Sequence, residues 1–208
     1  MSLSFLDRFR PQRPAQTPVV FDGLAQVRGY WEGLRQGEAL PARAAIDPRG
    51  LGGVLDRVFL AERIGRGLVQ LRIAGSGLAE FAGMDVRGLP LSCLFAAESR
   101  AQLSVTIERA FSEPAVAEVD LGSDRAAGGG LVARLLLLPL ADEGGTKLIL
   151  GAISFAPGPT ARCKLQIRSW RDERLPRAPE PQSIAPAAAP VAPPARQFGH
   201  LSLVHVSE

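Results

Sequence analysis

Imidazole is almost missing from this 208-residue chain. Its two histidines, His200 and His205, both fall in the last nine positions. The first 199 residues therefore lack the commonest general base and the commonest metal ligand. Thiols are as scarce: Cys93 and Cys163 are the two cysteines. Two cannot build a disulfide scaffold or a zinc cluster, and they point to a reducing compartment. The polar groups that could converge on a pocket are Glu62, Glu80 and Ser76. Arg72 could join them as a bidentate clamp for an anion or a partner carboxylate. The Gly128-Gly-Gly run is followed by an apolar strand pattern. A phosphate cradle instead opens a helix, whose N–H groups hold the anion. Enzymatic chemistry thus has little to work with.

Charge and hydropathy narrow the class further. The net charge is +3, but residues 22–159 sum to −2 while residues 160–177 sum to +4. The basicity is read as belonging to the flanks, so no nucleic-acid partner is expected for the core. No apolar run approaches the ~18 residues of a membrane span. The first residues also lack the basic start and apolar stretch of a secretory signal. A cytoplasmic protein without a transmembrane segment is expected.

Periodicity then places the elements that would carry a site. Leu24, Val27, Tyr30, Trp31 and Leu34 predict a helix over residues 21–35. Asp47-Pro48 reads as an N-cap and first helical position, opening a short helix to about residue 55. Residues 57–64 and 68–74 form a hairpin across Gly65-Arg66-Gly67. A helix over residues 76–81 stops at Gly83, residues 90–95 add a turn, and residues 97–111 make a longer helix with Leu103, Ile107 and Ala110 on one side. Strands follow at 115–121, 131–138 and 147–155, with turns at Gly128-Gly-Gly and Glu143-Gly-Gly. The fold class is α+β: a five-stranded antiparallel sheet with short helices on one face, preceded by an N-terminal helix. Alternation puts Leu71 and Ile73 on one face and Arg72 on the other.

The organisation expected along the chain is a flexible N-terminus at residues 1–20, a domain at 21–158, and a basic connecting segment at 159–175. A Pro/Ala-rich linker at 176–198 and a C-terminal peptide at 199–208 follow. Residues 176–195 hold seven prolines and seven alanines, the composition of an extended, disordered spacer. The alternating run from Phe198 reads as a strand suited to adding to a partner's sheet edge.

The element order resembles a PAS domain. It is most similar to the stand-alone PAS-like family of alphaproteobacteria, over about residues 22–156. The resemblance rests on Trp31 in the first helix, Leu40-Pro41-Ala-Arg43, Ile46-Asp47-Pro48, Leu55-Asp-Arg-Val-Phe59-Leu60, Leu71-Arg72-Ile73-Ala74-Gly75-Ser76, Gly83 with Gly88, and Leu137-Leu138-Pro139-Leu140. It implies a sensory or regulatory module with a ligand cup and a surface that engages a regulatory or signalling protein. The expected pocket walls are Phe59, Leu71, Ile73, Leu78, Phe81, Phe95, Leu136 and Ile149, with Arg72 as the polar contact. Tyr30, Trp31 and Leu34 would pack the first helix on the sheet or on a second subunit, giving a homodimer. No cofactor is expected. Haem in this fold is usually held by histidine, and none precedes His200; Met84 and Cys93 are the remaining soft ligands. Flavin photochemistry needs a cysteine in an Asn-Cys-Arg context, and the chain contains no asparagine. The alternatives are a carrier or isomerase-like α+β cup that needs polar groups inside it, or a scaffold that recruits through its C-terminal peptide.

Overall fold

The computed structural model describes residues 21–175, apart from 36, 38, 113, 124–129, 142–143 and 157–162. The expected N-terminal segment, the Pro/Ala-rich linker, the C-terminal peptide with both histidines, and most of the Gly128-Gly-Gly turn lie outside the described residues.

Helix α1 (Leu24–Leu34) buries Leu24, Val27 and Trp31, the i, i+3, i+7 stripe that packs a helix onto a core. It starts after Gly23, whose φ is 83° and where a Cβ would sit 2.7 Å from Val54 Cγ1. Asp47 caps a 3-10 turn, Pro48–Leu51, by accepting from Arg49 N at 2.9 Å. A second 3-10 turn, Leu55–Arg57, leads into strand β1 (Val58–Gly65) and strand β2 (Leu68–Ala74). Helix α2 (Ser76–Ala82) ends on Gly83 with φ 69°. A 3-10 turn at Leu91–Leu94 precedes helix α3 (Ala97–Ser112). Strands β3 (Ala115–Ser123), β4 (Leu131–Pro139) and β5 (Leu148–Phe155) follow.

The sheet has six strands, not five. Leu165–Arg174, expected as part of a basic connection, forms β6 and pairs antiparallel with β3 from Ser123↔Leu165 to Ala115↔Arg174. The order is β2-β1-β5-β4-β3-β6. Its charged side chains read as a solvated linker, yet strand pairing is made by backbone groups and tolerates charge at an edge. Ala96 N donates to Leu165 O at 2.9 Å and Ile167 N to Ser99 Oγ at 3.1 Å, which hold the start of β6 to the entry of α3.

Both sheet faces are covered: α2 and α3 lie on one face, and the N-terminal helix α1 packs on the other. One core gathers Phe59, Leu71, Leu135, Leu137 and Ile149 beneath α2, the 91–94 turn and α3. The second gathers Leu60, Leu136, Leu138 and Leu150 beneath α1 and the 3-10 turns before β1. Sandwiched between them, β5 is buried at seven of its eight positions.

Candidate functional site

The face under α2 and α3 is the expected cup. There Phe59, Leu71, Leu78, Phe81, Phe95 and Ile149 come together in one cluster, none more than 4% exposed. The end of the Phe59 ring lies against β5: a Cβ at Gly151, its cross-strand partner, would sit 2.0 Å from the ring's Cζ. An aromatic ring over a strand glycine is an efficient way to fill the space that the absent side chain leaves. Phe81 and Phe155 stack with centroids 4.4 Å apart. The cup interior is therefore occupied by the chain's own aromatic side chains.

Two expected wall residues, Ile73 and Leu136, and the expected polar contact Arg72 lie on the opposite face. The β1–β2 register runs Ala61↔Leu71, then Leu60↔Ile73, leaving Arg72 without a partner position. This β-bulge adds one residue to β2 and resets the alternation. Ile73 therefore shares its face with Leu60 rather than Leu71 and is 52% exposed. Arg72 Nε donates to Glu62 Oε2 at 2.6 Å on the open surface. Leu136 belongs to the second core, because in Leu135–Leu138 odd positions face the cup and even ones face α1. Glu80 and Ser76 are exposed on α2. None of the four polar candidates enters the cup.

The expected interface residues are used within the chain. Trp31 is fully buried and its Nε1 donates to Pro139 O at 3.0 Å, while the Arg35 guanidinium lies 5.3 Å from its ring centroid. The Tyr30 hydroxyl accepts from Asp47 N at 2.7 Å and donates to Asp47 O at 3.1 Å. Leu34 is half-buried, and the outward side of α1 is Ala25, Gln26, Gly29 and Gly33. The reason is geometric: the indole covers the reverse of the sheet and is not available to a second subunit.

The two thiols are free and half-buried. Burial pushes the Cys93 thiol up, only partly offset by the Lys164 and Arg100 charges. Met84 is exposed on the loop after α2, away from the cup. Among the described residues no three His, Cys, Asp or Glu side chains gather where they could hold a metal ion. No helix among them is long and apolar enough to cross a membrane.

The reverse face carries an open cleft that the sequence reading did not anticipate. Arg43, Ile46, Pro48, Leu51 and Leu55 line it from the loop, and Val58, Phe59, Leu60, Ile73 and Leu150 from the sheet. Its volume is about 110 Å³. The available signal was the run of apolar residues in the loop between Leu40 and Leu55, but loops of that kind mostly serve packing.

With the sheet order, the helices between β2 and β3 and the filled cup established, the family comparison is decisive. A family model described as a PAS domain matches residues 21–154, from the start of α1 through β5. The chain belongs to the PAS domain family. PAS domains are in general sensory and regulatory modules. In this PAS domain β6 lies beyond the matched residues, an additional strand on the β3 edge. No curated protein and no solved structure matches the chain.

Proposed function

We propose that this PAS domain is a cytoplasmic, non-catalytic regulatory module that acts on a signalling protein by direct contact, without holding a ligand in its cup. The supporting observation is the Phe59 ring on Gly151, with Leu71, Leu78, Phe81, Phe95 and Ile149 closed around it. A preformed ligand site is a concave space with a few converging polar groups. The side chains closed around the ring are apolar, and the buried Thr106 hydroxyl of α3 is spent on Gln102 O of its own helix, so a change of state is read from the outer surface. A carrier or isomerase would need carboxylates or hydroxyls inside, and Glu62, Glu80 and Ser76 point elsewhere.

The test is native mass spectrometry of the full-length protein as purified, paired with cross-linking capture from its own host. The expected result is the mass of the bare chain and reproducible capture of one regulatory protein, lost on competition with untagged domain. A stoichiometric small molecule that perturbs the Phe59 and Phe95 resonances would overturn the reading.

A further inference from the structure

We infer that the end of the sheet where the β1–β2 hairpin meets the approach to β5 is a binding site for a phosphate monoester, held chiefly by Arg66 and Lys147. The inference goes beyond the contact-based function and does not depend on it. An open pocket of about 320 Å³ lies there, lined by Arg63, Gly65, Arg66, Gly145 and Lys147. Three of these residues are cations, the other two are glycines, and no carboxylate is among them. Two of the cations are unspent: among the described residues, neither the Arg66 nor the Lys147 side chain makes a hydrogen bond or an ion pair. Asp142 and Glu143, in the turn before Gly144, lie outside the described residues.

Charge sets the ligand. Arg63 donates from Nη2 to Glu108 of α3 at 2.7 Å, so its charge is already matched. Arg66 and Lys147 leave two positive charges. A phosphate monoester, at about −1.5 to −2 near neutral pH, balances both, whereas a carboxylate balances one. The Arg66 guanidinium offers a planar fork of donors to phosphate oxygens, and the Lys147 ammonium a compact point charge. Arg63 adds a donor without adding charge: its Nε is buried and has no hydrogen-bond partner, a group that ordinarily finds one. No apolar side chain lines the pocket, so the body of the ester is small and polar. Gly65 and Gly145 carry no side chain to keep an oxygen from the backbone. The frame is ordered in advance. Glu108 also accepts from Gly67 N at 2.8 Å, and Arg63 N donates to Lys147 O at 2.9 Å. These bonds tie the hairpin to α3 and to the backbone that carries Lys147, and a site already ordered loses less entropy on binding.

The test is a backbone-amide NMR titration of the full-length protein with O-phosphoserine and with inorganic phosphate, each against dimethyl phosphate. It is run in about 0.15 M salt, where loose surface attraction is screened. Saturable shifts are expected at Gly65, Arg66, Gly145 and Lys147, with about tenfold weaker binding of the singly charged diester. Arg66→Gln and Lys147→Gln should each weaken O-phosphoserine about tenfold while leaving the melting temperature unchanged. Arg171→Gln, which removes an exposed cation of β6, should leave the affinity as it was. A phosphoserine peptide and its unphosphorylated form separate the two sources of the group. A phosphopeptide bound about tenfold more tightly than O-phosphoserine identifies a phosphorylated protein, and equal affinity identifies a free ester. No saturable shift, equal binding of the diester, shifts centred elsewhere, or an equal loss in Arg171→Gln would overturn the assignment.

Discussion

At the scale of single residues, Phe59 and Gly151 define the cup together. Removing the ring leaves a hole in a close-packed core, so Phe59→Ala is expected to lower unfolding free energy by about 3–5 kcal/mol in urea titrations. Gly151→Ala is also expected to destabilise, since its Cβ would fall within the ring. The double variant should be more stable than the sum of the two losses, because the clash disappears with the ring. Asp85 shows a smaller effect of neighbours. Hydrogen bonds from the Arg87 side chain and backbone, with its charge, hold this carboxyl at about 2, below its ordinary 3.8. A depressed folded pKa means the contribution is complete above the unfolded value and is lost as pH falls through the folded one. The window is therefore pH 4 down to 2. An NMR titration of the Asp85 carboxyl should report that low midpoint, and Arg87→Gln should return it toward the usual range. Cys93, raised chiefly by burial, should react with thiol reagents at neutral pH more slowly than free cysteine, and faster as pH rises.

Among the elements, the bulge in β2 and the added strand β6 decide which side chains meet. Deleting Arg72 would remove the bulge and make Ile73 the immediate neighbour of Leu71, so that strict alternation keeps Ile73 beside Leu60 on the reverse face. In thermal melts that variant is expected to unfold close to Arg72→Ala, which keeps the count of residues and only loses an exposed ion pair. Surface pairs of that kind are worth about 0–1 kcal/mol. β6 has a testable weight of its own. Leu165 and Ile167 pack on the cup-side core beside Val119 and Leu121 of β3. A chain ending at residue 158 would expose that edge, whereas one ending at 175 keeps it. The shorter chain is expected to melt earlier and to aggregate through the bared strand, as unpaired edges do, in side-by-side thermal melts with light scattering.

For the molecule as a whole, β6 changes the meaning of the charge count. Lys164, Arg168, Arg171 and Arg174 belong to or adjoin a sheet strand, so part of the basic flank sits on the folded body. The two acids of the strand are engaged by other layers: Arg109 of α3 pairs with Asp172 at 3.0 Å, and Arg28 of α1 pairs with Glu173. These contacts join both helical layers to the same strand. Because residues 22–159 sum to −2, a titration with duplex DNA at low salt is expected to show no saturable, salt-dependent binding.

Much of this fold was legible in the residues. Alternation, turn glycines and the Asp47-Pro48 cap place β2, α2, α3 and β4 close to their observed bounds, because these signals act within a few positions of one another. Phe59, Leu71, Leu78, Phe81, Phe95 and Ile149 were legible as core from side-chain type alone. The faces were not. In a sheet buried on both sides, Leu135–Leu138 carries no polar phase marker, so Leu136 cannot be assigned to a side by pattern. A one-residue bulge in β2 inverts Ile73 without leaving any mark in composition. β6 looked like linker because its partners are the backbone groups of β3, forty to sixty residues earlier in the chain. Local chemistry wrote the elements; the register between distant strands chose which surface each side chain meets, and with it a filled cup and an open cleft behind it.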